Sequence, residues 1–379
     1  MTMSSSRPED LATWLDDAAA AFDVRLTVSP RPAEERAELV AAPRFGTVFT
    51  DHMARIAWSE TEGWHGRRVE PYGPLQMDPA SAVLHYAQEI FEGLKAYRHE
   101  DGSVWLFRPE ANAERFASSA ERLALPPLSE RDFLGSIAAL VRTDADWVPE
   151  GDDEMCLYMR PFMYASESYL GVRPALEVEY LVIASPVGPY FPGGVRPVSI
   201  WVAEDYHRAG PGGTGAAKCG GNYASSLLPQ QQAYEHGCEQ VCFLDAKTNT
   251  NLEELGGMNV FVVHADGSVS TPRLTGSILV GVTRSSVIQL LRDAGREVTE
   301  RDIPLSEVLA GLKDESISEV FACGTAAVVT PIGRLAGAEF DLTVADGAAG
   351  KITMDVREQL TDIQYGRARD RYGWMRRIV

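Results

Sequence analysis

The sequence predicts a two-domain α+β protein. Three observations carry this. At 379 residues the chain is long enough for two cores. A run rich in proline and glycine, PVGPYFPGGVRP at 186–197, interrupts it near the middle. Strands and helices are mixed before that run, and alternate after it around what reads as a barrel-like sheet. The division expected is a small α/β N-terminal domain over 1–190, a connection over 191–203 and a larger domain over 204–379.

In chain order, Asp10 to Phe22 has a helical pattern, with Ser4 to Ser6 or Asp10 placed to cap it. Residues 28–45 carry Pro30, Pro32 and Pro43 and read as a plain linker. Thr47–Thr50 and Met53–Trp58 read as strands, and Pro71 to Pro74 as a turn. Val83 to Phe91 concentrates apolar and aromatic residues. Leu94–Arg98 and Val104–Arg108 read as a hairpin about Asp101-Gly102. Pro109–Leu123 is helical, with Phe116, Ala120 and Leu123 on one side and Arg115 and Arg122 on the other. Ser129 is placed to cap a helix over Glu130–Val141. Strands follow at Cys156–Phe162 and Glu177–Ala184.

In the second half Val198–Ala203 reads as a strand and Asn222–His236 as a helix kinked at Pro229. Gln240–Asp245 and Met258–Val263 read as strands, and Thr283–Asp293 and Ser306–Leu312 as helices. Ile317–Ala322 reads as a strand that runs into Gly324-Thr325, and Met354–Gln364 as a helix.

Net charge is −19, which argues against non-specific binding to nucleic acid or anionic membrane. The five cysteines are odd in number and scattered, unlike a disulfide framework. Cys238 and Cys242 lack the further ligands a zinc site needs, so no metal is expected. MTMSSSRPEDLATW has no basic region followed by an apolar run. No apolar run reaches spanning length, and a reducing cytoplasm is the expected compartment.

Chemistry concentrates in Gly210–Tyr223, GPGGTGAAKCGGNY. Six of the twelve residues from Gly210 to Gly221 are glycine, and Lys218 is the one charged residue among them. Glycines let the backbone approach a bound group closely. An amine in such a crowded, water-poor place is disposed to Schiff-base chemistry. A flexible loop with a solvated lysine is the alternative on this stretch alone. Nucleotide binding would need Gly-Lys-Ser/Thr, and Ala217-Lys218-Cys219 fails that test. Glu253 and Glu254 precede an apolar strand; a buried one would need a positive partner. Gly281, Val282 and Thr283 open a predicted helix, and Gly324-Thr325-Ala326-Ala327 follows a strand; both offer amides to an anion.

GGTGAAKCGGNY, EELGGMN, LVGVTR, ACGTAAVVTP, HYAQEIFEGLKAYR, WLFRP, YMRPF and PVGPYFPGG together resemble the signatures of branched-chain amino-acid aminotransferases. They run in that family's order from about Phe45 to Trp374. The resemblance implies the two-domain fold type IV and pyridoxal 5'-phosphate as cofactor. It implies transamination of leucine, isoleucine and valine with 2-oxoglutarate. A D-amino-acid aminotransferase or aminodeoxychorismate lyase of the same fold is the alternative, and a cofactor-free binding protein a further one. By resemblance Lys218 carries the Schiff base, Tyr223 meets the cofactor's ring hydroxyl and Glu254 its ring nitrogen. Arg108, Val282, Thr283 and Thr325 hold the phosphate. The amides of Thr325 and Ala326 receive the substrate carboxylate. Tyr86, Phe91, Tyr158 and Tyr190 line the side-chain pocket, and Arg160 accepts the distal carboxylate of glutamate. A homodimer is the family expectation, with amino acids and 2-oxo acids as the small-molecule partners. Ala327 and Thr330 stand where some relatives have a CxxC pair, so no such switch is expected. Gly257 stands where others have threonine.

Overall fold

A computed structural model describes residues 11–150, 154–189 and 194–379. The chain divides into two compact units, Met1–Gly188 with Gln364–Val379, and Pro189–Ile363.

The first unit is built on a nine-stranded sheet. Its path runs Asp23–Val24, Gly63–Pro71, His52–Ser59, Glu177–Val187, Cys156–Ala165, Leu94–Arg98, Val104–Phe107 and Met375–Arg377. Glu89–Phe91 pairs off this path with Cys156–Ala165. The expected hairpin is present, with Ala96 opposite Leu106 and Arg98 opposite Val104. Ser129 caps the helix Glu130–Thr143, its Oγ accepting from the Asp132 amide at 3.0 Å. That helix meets the helix Pro109–Arg122 and the sheet at Phe116, Phe133 and Tyr180, with ring centroids of Phe116 5.3 and 5.5 Å from the other two.

Several expectations need correction. Residues Ala33–Ala41 of the supposed linker form a helix. AEERAELVA is made of strong helix formers, and acidic Glu34 and Glu35 sit in the first turn, where the macrodipole favours them. Thr47–Thr50 is not a strand; the strand starts at His52. Arg115 does not face solvent. It is buried and forks onto the fully buried Glu92, with Nε at 2.7 Å from Oε1 and Nη2 at 2.8 Å from Oε2. Asn112 Nδ2 adds a bond at 2.8 Å, so the carboxylate is paired and solvated by protein.

In the second unit six strands close into a ring. They are Leu252–Leu255, Gln240–Leu244, Val198–Ala203, Val328–Gly337, Ile317–Gly324 and Asn259–His264. The ring is completed where Glu254 pairs with Asn259. Val202, Leu244, Leu255, Val260 and Ile332 are among the buried side chains of its core. The expected helix over 222–236 is instead two, Gly220–Ala224 and Leu227–Glu235. Pro229 lies in the first turn of the second, where a missing N–H costs nothing; the break precedes it. Residues 198–203, expected in the connection, are a strand of this ring. Residues 364–379, expected in the larger domain, join the first unit because Met375 pairs with Phe107 and Arg377 with Trp105. Among the described residues no helix is long and apolar enough to cross a membrane.

Candidate active site

The glycine-rich segment is a fixed object, because Asn222 holds it. From the helix Gly220–Ala224 its Nδ2 donates to the carbonyls of Thr214 and Ala217, both at 2.8 Å. Its Oδ1 accepts from Thr214 Oγ1 at 2.8 Å. Gly215 packs against the backbone of Ser277 so closely that a Cβ would overlap the Ser277 carbonyl. The Ala216 amide donates to the Gly276 carbonyl at 3.1 Å. Held this way, the half-buried Lys218 places Nζ 2.7 Å from the Tyr223 hydroxyl.

Glu254 sits on the ring-closing pair and is 3 % exposed. Its Oε1 accepts from the Leu279 amide at 2.9 Å and forms an ion pair with Nη2 of buried Arg208. Burial pushes the carboxyl up to about 7; Arg208, the Leu279 amide and Lys218 each pull it back, while Glu253 pushes it further up. Adjacent Glu253 bonds elsewhere: its Oε1 accepts from Ser277 Oγ, and burial raises it as well.

Two backbone features lie in the same unit. The helix Val282–Asp293 starts from Gly281, with Val282 and Thr283 buried in its first turn. First-turn amides have no intrahelical acceptor, which suits them to an anion. Asn259 sets the approach: its Nδ2 donates to the Leu279 carbonyl at 3.2 Å, and its Oδ1 leaves no room for a Cβ on Gly281. The second feature is the turn Thr325–Ala327, which joins two ring strands. Val328 closes it at φ +58, an uncommon conformation for a β-branched residue. Buried Arg357 donates to the carbonyls of Ala327, at 3.3 Å, and Val329.

The first unit holds the other residues singled out in the sequence. Arg108, at φ +46, precedes the helix Pro109–Arg122. Its amide donates to the Trp374 carbonyl at 2.7 Å, and its guanidinium lies 5.4 Å from the Trp374 ring. Burial lowers its pKa. Phe91, Tyr158 and Arg160 come together. Arg160 Nη2 donates to the Tyr158 hydroxyl at 3.0 Å, and the guanidinium carbon is 4.7 Å from the Phe91 centroid. Phe45 adds a ring 5.3 Å from Tyr158. Tyr86 is engaged elsewhere: it is 39 % exposed and its hydroxyl donates to the Leu170 carbonyl at 2.7 Å. Tyr190 lies outside the described residues.

Sequence reasoning did not single out Arg208, Asn222 or Phe45. The need for a cation beside a buried glutamate was legible; that Arg208 supplies it was not. Asn222 stands inside the GGNY motif, where its position just before Tyr223 was the available signal.

Residues 89–335 match the family described as amino-transferase class IV. A branched-chain-amino-acid aminotransferase of Mycolicibacterium smegmatis is 52% identical over 360 residues, spanning 94% of this chain and 98% of the relative. The chain belongs to the branched-chain-amino-acid aminotransferases. Another member of this family, from Mycobacterium tuberculosis, is 51% identical over the same shares of the two chains. The solved structure of the Escherichia coli branched-chain enzyme is similar at TM-score 0.72 and 27% identity, over 86% of this chain and all of that one. A T.th. branched-chain enzyme, solved with pyridoxamine 5'-phosphate, is similar at TM-score 0.71 and 26% identity, over 86% of this chain and 99% of that one.

Proposed function

We infer that this protein is a pyridoxal-phosphate-dependent transaminase of leucine, isoleucine and valine, with 2-oxoglutarate as the amino acceptor. The observation that carries this is an amine on a rigid glycine loop, 2.7 Å from a tyrosine hydroxyl and within electrostatic reach of a buried carboxylate. The donor set fits the cofactor. Among the described residues the Leu279 amide and Arg208 both engage Glu254 at Oε1, so Oε2 is the oxygen that would meet a ring nitrogen. Lys218 offers an amine for the aldehyde and Tyr223 a hydroxyl for the ring oxygen. The amides of Val282 and Thr283, with Thr325, suit a phosphate, and the guanidinium of Arg108 in the first unit is a group of matching charge. When bound, pyridoxal phosphate supplies an electron sink that acidifies the Cα–H of an amino acid joined to it.

The chain's own residues do the rest. Lys218 Nζ takes the proton from substrate Cα and returns it on the other side of the exchange. Tyr223 orients that amine. Glu254, ionised, holds a proton on the ring nitrogen. The amides of Thr325 and Ala326 receive the α-carboxylate. Phe91 and Tyr158 offer an apolar surface suited to a branched side chain, and Arg160 beside them a cation suited to the second carboxylate of glutamate. One methylene changes binding in such a pocket by only about 1–3 kcal/mol, so all three branched substrates should react. A cytoplasmic homodimer is part of this reading.

The test is an amino-donor panel with 2-oxoglutarate, paired with borohydride reduction of the loaded protein. Leucine, isoleucine and valine should each give glutamate, and the pyridoxyl label should map to Lys218. Lys218→Ala should lose the visible absorbance and at least about a thousandfold in kcat. Turnover of D-alanine without L-leucine, or a label on another residue, would overturn the assignment.

A further inference from the structure

Arg208 has no part in the chemistry above, yet it stands at the junction of the site. It is 5 % exposed, and a single nitrogen, Nη2, donates to two carbonyls and forms an ion pair with a carboxylate. The carbonyls are those of Gly215 and Ser277, at 2.8 Å each, and the carboxylate oxygen is Glu254 Oε1. The three partners belong to three separate segments. Glu254 is on the ring-closing strand, Gly215 is in the lysine loop, and Ser277 is in the stretch that leads to the helix Val282–Asp293. That stretch returns to the same carboxylate, since the Leu279 amide also donates to Oε1. A buried guanidinium suits this junction because it is weakly hydrated and permanently charged.

We propose that Arg208 is a positioning residue. It pins Oε1 of Glu254 so that Oε2 faces the cofactor ring nitrogen, and it ties the lysine loop to the same guanidinium, which holds Lys218 and Glu254 in register. The proposal rests on the roles assigned to Lys218 and Glu254 above. Its electrostatic side is direct. Glu254 is faced by Arg208, Lys218, Glu253, the Leu279 amide and the thiol of Cys242. Arg208 and Lys218 favour the ionised carboxylate, while burial and Glu253 oppose it. Removing Arg208 takes away the largest of the influences that favour the ionised carboxylate, so the Glu254 pKa moves further up, against the ionised form that would keep a proton on the ring.

A double-mutant cycle tests this. Arg208→Met, Glu254→Gln and the double variant are loaded with pyridoxal phosphate. Turnover, cofactor affinity by fluorescence titration of the apoprotein, and the pH dependence of the visible band are measured on each. If Arg208 acts through Glu254, each single change lowers kcat about a hundredfold with KM for leucine altered less than about threefold. The double variant is then no more than about threefold worse than the poorer single. The pH dependence of the band shifts in Arg208→Met, and Arg208→Lys, which keeps the charge, moves it partway back. Should Arg208→Met fail to fold, Arg208→Lys with Glu254→Gln completes the same cycle. Losses that multiply, or a wild-type spectrum and kcat in the Arg208 variant, overturn the proposal and leave the functional reading standing. Absence of a pyridoxyl label on wild-type Lys218 overturns both.

Discussion

Glu254 is held where ionising a carboxylate is expensive, and that cost has a direction in pH. Its carboxyl is pushed up to about 7 by burial, against an ordinary value of 4.5. The unfolded chain gives up this proton first as pH rises. Between about pH 4.5 and 7 the native state therefore binds the extra proton, and the cofactor-free fold loses stability through that window. A span of about 2.5 units corresponds to roughly 3 kcal/mol. Unfolding in urea at pH 5 and pH 8 should show this loss in wild type, and a pH difference smaller by about that amount in Glu254→Gln; an equal difference in both would reject it. Loaded cofactor reverses the preference, because a protonated ring nitrogen favours the carboxylate. Single residues were legible where their type is unusual in its setting. Lys218 among six glycines pointed to its own chemistry. Arg208 did not, because two of its three partners, Glu254 and Ser277, lie far away in sequence, and nothing local marks an arginine as buried.

The lysine loop works as an element because two residues fix it from opposite sides. Asn222→Ala removes three side-chain bonds and leaves the Thr214 and Ala217 carbonyls without their amide donor. A cost of about 2–3 kcal/mol is expected from chemical denaturation, with weaker uptake of pyridoxal phosphate in titration. Gly215→Ala sets a methyl against backbone, not against a side chain that could rotate away. The loop must then separate from Ser277, and roughly 1–3 kcal/mol of stability should be lost. Wild-type thermal stability with unaltered cofactor uptake would contradict this. Elements with a clear period were readable from the sequence, as at Val282–Asp293 and in the hairpin about Asp101-Gly102. The strand Val328–Gly337 was not read, since Pro331 and Gly333 interrupt it and its side chains are buried on both faces. Without polar alternation a buried strand loses its period-two signature. The strand Leu252–Leu255 was hidden differently: two of its four residues are glutamates, and both are buried.

Over the whole molecule, a net charge of −19 coexists with sites read here as receiving anions: a phosphate, an α-carboxylate and the second carboxylate of glutamate. The attraction must then be local, from helix-terminal amides and the few inward arginines, rather than from the global field. The first unit carries a second whole-chain feature. Its sheet is completed by Met375–Arg377, whose partner strand Val104–Phe107 lies far upstream, and the Trp374 carbonyl accepts from the Arg108 amide. A variant ending at Ile363 should leave that strand as a bare edge. Limited proteolysis should then cut within residues 11–188 at least about tenfold faster than in wild type; equal resistance would show the strand to be dispensable.

The same pairing bears on biosynthesis. A ribosome releases the upstream strands first, and the nascent polypeptide must wait through the synthesis of the entire ring before residue 377 emerges to seal the earlier sheet. During that interval a β-edge is open to passing chains, so the demand for chaperone protection falls on the half of the protein that is translated first.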